Sequence, residues 1–278
     1  MRLLIVVCVL TVVGGVPINP TQEATSHAPV SVVPSNNTQN VITSSHATGG
    51  VAVMPGPQQY AAETLEELEG DVIVHEGDIV MSDDRNAVES IWSDAIVPYT
   101  IGNELAPYEL KILSAFNMIS DVTCIRFIQR TTESNYLLFT SGTGCASYVG
   151  CQGGVQLLYY SKSCSLGNLC HEIIHALGLH HEHTREDRDH YISVQEQNII
   201  PGREKNFMVK HGNTMNLPYD LESIMHYGEY FFSVNGSPTV LSKQNEVLMG
   251  QRTHLSNLDI LKLNKLYKCG NNFLNTFI

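Results

Sequence analysis

Apolar positions fall into three regimes along this chain, and each predicts a different kind of segment. An apolar run at 3–13, interrupted only by Thr11, follows Arg2 and gives way to small residues and Pro17. It is too short to span a bilayer comfortably. Its layout is that of a secretory leader cut near Gly15 to Pro17, so residues 1–16 are expected to be removed. Residues 17–60 have few large apolar side chains among many Pro, Ser, Thr, Asn and Gly. Such a stretch cannot bury enough surface to offset its ordering entropy and is expected to be flexible. The sequence AAETLEELEG (61–70) reads as a short acidic helix stopped by glycine, and DVIVHEGDIVMSDDR after it as extended chain.

From Asn86 the pattern becomes that of a folded domain. IVPYTI (Ile96–Ile101), CIRFI (124–128), YLLFT (136–140) and VQLLYY (Val155–Tyr160) have the β-branched and aromatic content of strands. Pro107 opens a predicted helix with Leu110, Leu113 and Phe116 on one face. A second helix is expected over 167–177, stopping at Gly178, and a third over 257–267 from Leu258, Leu261 and Leu266. Helices and strands do not alternate regularly and no repeat occurs, which favours an α+β fold over a doubly wound sheet.

The length of 278 residues allows one or two domains. The net charge of −12 is uneven: residues 17–85 carry ten acidic side chains against the single basic Arg85. No basic surface suits nucleic acid, and no cationic amphipathic stretch suits a membrane surface. Of the seven cysteines, Cys8 would leave with the leader. The even set of Cys124, Cys145, Cys151, Cys164, Cys170 and Cys269 suggests disulfides in an exported chain. Buried thiols or a thiolate metal site fit less well, since no CxxC pair occurs, and spacing leaves all 15 pairings of six cysteines open. Asn36 and Asn235 stand in glycosylation sequons, with Pro238 disfavouring the second.

The chemistry is concentrated in CHEIIHALGLHHEHTREDRDHYI, residues 170–192. His171 and His175 are four apart, so a helix projects both imidazoles from one face. That is a grip for zinc, with Glu172 beside the metal and free to act as a base. Gly178 can turn the chain sharply, and His181 can then return as third ligand. Three protein ligands leave a position for water, the mark of a catalytic zinc. His180, His183 and His190 fit no ligand spacing and are read as surface or supporting residues.

The extended HExxHxxGxxH motif resembles that of the metzincin zinc peptidases, which share a methionine turn after the third histidine. SIMHY (223–227) is similar to that turn. Glu182, the RxDRD run (Arg185, Asp187, Arg188, Asp189), Tyr191, and the tyrosine two residues after the methionine resemble the astacin family in particular. So do RTTESNYLLFTSG and GCASYVG; the likeness runs from about Asn86 to Cys269. It implies a two-lobed zincin-like domain with a twisted mixed sheet, an active-site helix above the cleft and a largely irregular lower lobe. It implies one zinc per subunit on His171, His175 and His181, Met225 beneath the metal, and Tyr227 as a mobile fifth ligand. The expected activity is endopeptidase cleavage by an activated water, with Glu172 as the base and Tyr227 assisting at the oxyanion. A catalytically dead binding protein or a zinc-storage domain is disfavoured, because the base, all three histidines and Tyr227 are present.

The same resemblance implies latency. HEGD (75–78) is similar to the family's F-x-G-D propeptide motif, with His75 in place of Phe, so Asp78 is the expected zinc ligand of an inhibitory segment 17–85. Cleavage at Arg85–Asn86 by a trypsin-like protease would give a catalytic domain 86–278, its new amino terminus paired with Glu182. Cys124–Cys269 and Cys145–Cys164 are the implied family bridges, which leaves Cys151 to pair with Cys170. The Cys164–His171 stretch is one residue shorter than in most of the family, and the chain broadly resembles the hatching-type astacins of fish. The expected product is a secreted monomer acting on extracellular protein substrates, of egg envelope or matrix, with no nucleic-acid partner and no membrane span once the leader is gone.

Overall fold

The chain is described by a computed structural model at residues 62–65, 67–68, 72–81, 90–244 and 247–270. The expected leader, the 17–60 stretch, Asn36 and the Arg85–Asn86 bond lie outside the described residues. The described strands are β1 (Glu67–Leu68), β2 (Val72–His75), β3 (Ile79–Val80), β4 (Ile96–Ile101), β5 (Arg126–Gln129), β6 (Tyr136–Ser141), β7 (Ala146–Ser147), β8 (Val155–Tyr160), β9 (Ile192–Val194) and β10 (Val240–Ser242). The α-helices are α1 (Glu109–Ser120), α2 (Leu166–Ala176) and α3 (Asn257–Leu266). Runs 96–101 and 155–160 form strands with the expected limits.

One mixed sheet has the order β1-β2-β3-β7-β8-β6-β4-β5. β4 pairs in parallel with β5 and β6, and β6 in parallel with β8, whereas β7 returns antiparallel to β8. Parallel neighbours need a crossover, and α1 supplies it between β4 and β5. Inward side chains alternate along β6, where Leu137 and Phe139 are fully buried. They meet Ile112, Ala115, Phe116 and Ile119, the buried face of α1. That face corrects the expectation for Leu110, which is 80% exposed. A six-residue 3₁₀ stretch at Asn103–Tyr108 contains Pro107, and α1 begins only at Glu109, so the i, i+3, i+4, i+7 stripe starts at Ile112.

Helix α2 is buried from Gly167 to Ala176. Ser165 starts it with a capping box: its hydroxyl accepts from Asn168 N at 3.1 Å, and its own amide donates to Asn168 Oδ1 at 2.7 Å. Its C-terminal carbonyls are met by side chains from far along the chain. Trp92 Nε1 donates to Ala176 O at 2.8 Å and Tyr267 OH to Leu177 O at 2.9 Å. Gly178, at φ 111°, ends the helix in a conformation costly for any residue with a Cβ.

A second core gathers Ile192, Ile199, Phe207, Tyr219, Tyr227, Phe231, Phe232 and Val240. Around it the chain runs mostly in 3₁₀ turns, with β9 and β10 paired antiparallel and an antiparallel bridge between Ile199 and Ser233. Two cores, one built on the sheet and one largely irregular, match the expected two-lobed α+β architecture.

The segment before residue 82 extends the sheet. β3 pairs in parallel with β7 through Ile79 and Ser147, and β2 and β1 follow antiparallel. The helix expected at 61–70 is therefore corrected. Glu67–Leu68 is a strand opposite 72–73, and Leu65 N donates to Gly77 O at 2.9 Å. A short acidic helix lacks the length to be stable alone, and sheet-edge pairing outcompetes it.

Disulfides join Cys124 to Cys269 and Cys145 to Cys164. Cys151 and Cys170 are buried free thiols, which corrects the pairing expected for them. Gly150 N donates to His175 O at 2.9 Å, which sets Cys151 beside the last turn of α2. Cys170 lies five residues before His175 on that helix. Labelling with iodoacetamide, without reductant, should leave both thiols free in the native chain and modify Cys151 and Cys170 after unfolding; peptide masses showing neither modified would contradict this.

Candidate metal centre and active site

The capped helix α2 places His171, Glu172 and His175 on consecutive turns of a rigid, fully buried element. The turn at Gly178 brings His181 back beside them. Each imidazole spends its Nδ1–H on an acceptor: His171 on Ile224 O, His175 on Leu179 O and His181 on Glu76 Oε2, all at 2.7 Å. A carbonyl oxygen can only accept, so Nδ1 carries the proton in His171 and His175 and their Nε2 lone pairs are free. Those Nε2 atoms lie 3.2 Å from His181 Nε2. Asp78 Oδ2 is 3.2 Å from both His171 and His181 Nε2, and its Oδ1 is 3.8 Å from His175 Nε2. Asp78, His171, His175 and His181 thus present ligand atoms within 4.8 Å of one another, all buried. Converging lone pairs and a carboxylate in a dry interior repel unless a cation joins them. Nitrogen and oxygen donors in this number suit zinc.

The resemblance-derived ligand set and Asp78 are therefore brought together at one point. Met225 lies beside them, and its carbonyl accepts from Glu182 N at 3.0 Å. Glu172 is fully buried, and neither carboxylate oxygen has a hydrogen-bond partner among the described residues. Burial pushes its carboxyl well above the ordinary range, and the charges of Asp78 and Glu63 push it the same way. For Asp78, burial alone would raise the carboxyl, but the imidazoles of His181 and His171 outweigh it and hold it far below the usual range. Tyr227 is buried, with its ring centroid 4.9 Å from that of His181. Burial, then the charge of Asp78, raise its phenol well above normal.

The motif around Asp78 does more than its resemblance implies. Glu76 accepts the Nδ1–H of His181 on Oε2, is ion-paired with Lys210, and accepts on its backbone oxygen from Tyr227 OH at 2.5 Å. Its amide donates to Asn206 Oδ1 at 3.2 Å. Gly77 follows at φ 82°, and a Cβ there would stand 2.2 Å from Glu63 O, so the turn admits only glycine. Glu63 in turn is buried against Arg252, with Nη2–Oε2 at 2.6 Å and Nε–Oε1 at 2.8 Å, and it also accepts from Asn168 in the cap of α2. Burial opposes ionisation of Glu63, yet Arg252 holds its carboxyl below normal.

Other functional residues escape local pattern. His183 is buried and stacks on Tyr227, with centroids 3.5 Å apart at 24°, and donates from Nε2 to Asn206 O at 2.9 Å. His180 and His190 are exposed, as expected of surface residues. Glu182, implied as partner of a new amino terminus, is paired with Lys262 and Arg185; Asn86 lies outside the described residues. Asn235 is exposed on a turn, its Oδ1 accepting from Ser237 N at 2.9 Å.

The depressed Glu63 carboxyl fixes a pH dependence for docking of the segment that carries it. A carboxyl lowered in the docked state adds stability above its ordinary value, and that stability is lost as pH falls through the lowered value. The ordinary value for Glu63 is 4.5, so this contribution should be complete above about pH 5 and be lost progressively below it. Hydrogen exchange should show β2 and β3 losing protection in acid before β6; simultaneous loss would contradict this.

A family model described as Astacin, a peptidase family, matches residues 84–268. High choriolytic enzyme 1 of Oryzias latipes is 38% identical over 215 residues, covering 72% of this chain and 79% of that protein. Zinc metalloproteinase nas-14 of Caenorhabditis elegans is 36% identical over 233 residues, 78% of this chain, and Embryonic protein UVS.2 of Xenopus laevis is 39% identical over 206, 70% of this chain. The chain spans only 46% and 40% of the lengths of those two relatives. Among solved structures, that of High choriolytic enzyme 1, a hatching enzyme zinc-protease from the medaka fish, matches with a TM-score of 0.63 at 36% identity. It covers 69% of this chain and 100% of that one.

Proposed function

We propose that this chain, which belongs to the astacin family of zinc metallopeptidases, is a secreted endopeptidase made in a latent form. The observation that carries the reading is the convergence of three histidine Nε2 atoms and the Asp78 carboxylate on one point. His171, His175 and His181 would hold the zinc, with their Nδ1–H bonds fixing ring orientation. Bound zinc supplies a Lewis acid, polarising the scissile carbonyl and lowering the pKa of a water toward about 7.

The remaining work falls to side chains of this chain. Glu172, dry and without a hydrogen-bond partner among the described residues, accepts a proton from the attacking water on its carboxylate and returns it to the leaving amide nitrogen. The water oxygen bonds to the carbonyl carbon and the C–N bond breaks, so no acyl-enzyme forms. Tyr227, once its hydroxyl leaves Glu76 O, donates to the developing oxyanion. The edge of β7, where the segment's Asp78 O accepts from Ser147 N at 2.8 Å, offers a peptide substrate the same backbone hydrogen bonds.

In the latent form residues 17–85 are the inhibitory segment. Asp78 takes the place of the water, Glu76 holds His181 and Tyr227, and Glu63 holds Arg252. A trypsin-like cut at Arg85–Asn86 then leaves residues 86–278, and a new amino terminus that reaches Glu182 joins a carboxylate already paired with Lys262 and Arg185. Residues 1–16 would direct secretion. The substrate is an extracellular protein, and an egg envelope is the first to try, because the relatives include a hatching enzyme.

Glu172→Gln in the processed chain should lower kcat on a protein substrate by roughly 10²–10⁴ while zinc stays bound. Chelator should abolish the wild-type activity. Equal rates for wild type and variant would reject the mechanism. Amino-terminal sequencing of the secreted active form should begin at Asn86; a start far from it would reject the proposed cut.

A further inference from the structure

We propose that Lys262 is a positioning residue of this centre. Its ammonium holds Glu182, and through Glu182 the third ligand His181, in place before the chain is cut. Lys262 Nζ lies 2.6 Å from Glu182 Oε2, and the two residues are only 6% and 4% exposed. The other oxygen, Oε1, accepts from Asp220 N at 2.9 Å and from Arg185 Nη1 at 3.0 Å. Arg185 is itself fixed, donating to Leu217 O and Pro218 O at 3.0 Å and pairing with Asp187. One carboxylate is thus filled by donors from three separate parts of the chain.

What that carboxylate holds is the backbone next to the metal. Glu182 follows His181 directly, and its amide donates to Met225 O at 3.0 Å. A shift of the Glu182 side chain therefore moves the peptide that carries the ligand. Helix α3, which bears Lys262, reaches a second ligand by an independent route. Asp259 accepts from Ile224 N at 2.8 Å and from Ser223 Oγ at 2.5 Å, and Ile224 O accepts the Nδ1–H of His171. Two of the three histidines are thus braced from one helix far downstream in the chain.

A carboxylate already served by an intrachain ammonium does not need a new amino terminus to become ordered. In this chain the cut then acts by releasing the 62–81 segment, while the His181 geometry stands ready beforehand. Lys262 and Glu182 also line a cavity of about 640 Å³ shared with Met225, Arg185 and Leu266. A small cation can enter a space of that size, which makes the role testable by chemical rescue.

The inference rests on reading His171, His175 and His181 as zinc ligands. The test uses the full chain kept uncut by Arg85→Gln, loaded with zinc, and follows zinc release to a coloured chelator. Lys262→Ala and Lys262→Met should each release zinc faster than the parent, by roughly tenfold, the lower end of the cost of losing a direct partner of a metal ligand. Butylammonium chloride should slow release from Lys262→Ala, and sodium chloride at equal ionic strength should not. Release at the parent rate from both variants, in chains that melt as the parent does, would overturn the proposal. Equal slowing by sodium would do the same, as would a Lys262→Met chain that behaves as the parent. A parent chain that takes up no zinc would overturn the ligand reading and this proposal together.

Discussion

Three imidazole nitrogens with free lone pairs and one carboxylate cannot share a dry pocket without a cation between them. That electrostatic constraint organises most of what surrounds the pocket. Because the Nε2 atoms must face one another, each ring has to hand its Nδ1–H to an acceptor that holds it there. Two of those acceptors are backbone carbonyls, Ile224 O and Leu179 O, so the turns at 223–225 and 178–179 are held to a narrow geometry. The helix that carries two of the rings is buried on all sides and capped at both ends by side chains. Rigidity of this kind is what a metal centre requires, since ligands must be in place before the metal arrives.

The segment 62–81 uses the same constraint from the other side. It brings one carboxylate to the metal point and a second to the outer nitrogen of His181, and places a backbone oxygen on Tyr227. It adds strands to the sheet beyond β7, covering an edge that would otherwise invite pairing. The buried Glu63–Arg252 pair anchors its start. Loss of either partner would leave an uncompensated buried charge, so the anchor holds only while the segment is whole. Asp78, Glu76 and Glu63 all belong to this one segment, and Glu63 also reaches the cap of α2 through Asn168.

Much of this was legible in the sequence because it is local. The four-residue spacing of His171 and His175, the glycine at 178 and the return at His181 are set within a dozen residues by helix geometry. Strands 96–101 and 155–160 and helices α2 and α3 follow from their own patterns. What could not be read is long-range. Nothing near Glu63 announces Arg252, and nothing near Glu182 announces Lys262; each pair exists because the fold brings distant chain together. Leu110 fits an apolar stripe in sequence, but a 3₁₀ turn through Pro107 delays the helix and leaves it outside. Within the acidic 61–70 stretch, Glu67–Leu68 has helical propensity that sheet pairing overrides. Cys151 and Cys170 completed a count of six, yet both stand as buried free thiols, which a count does not reveal.

One zinc in the uncut chain should sit among His171, His175, His181 and Asp78. The most direct measurement is a zinc-edge X-ray absorption spectrum of the uncut chain beside that of Asp78→Asn. The account predicts three imidazoles and carboxylate oxygen in the wild-type shell at about 2.0–2.2 Å, with the oxygen contribution altered in the variant and the imidazoles unchanged. A shell with fewer than three imidazoles, or one containing sulfur, would contradict it.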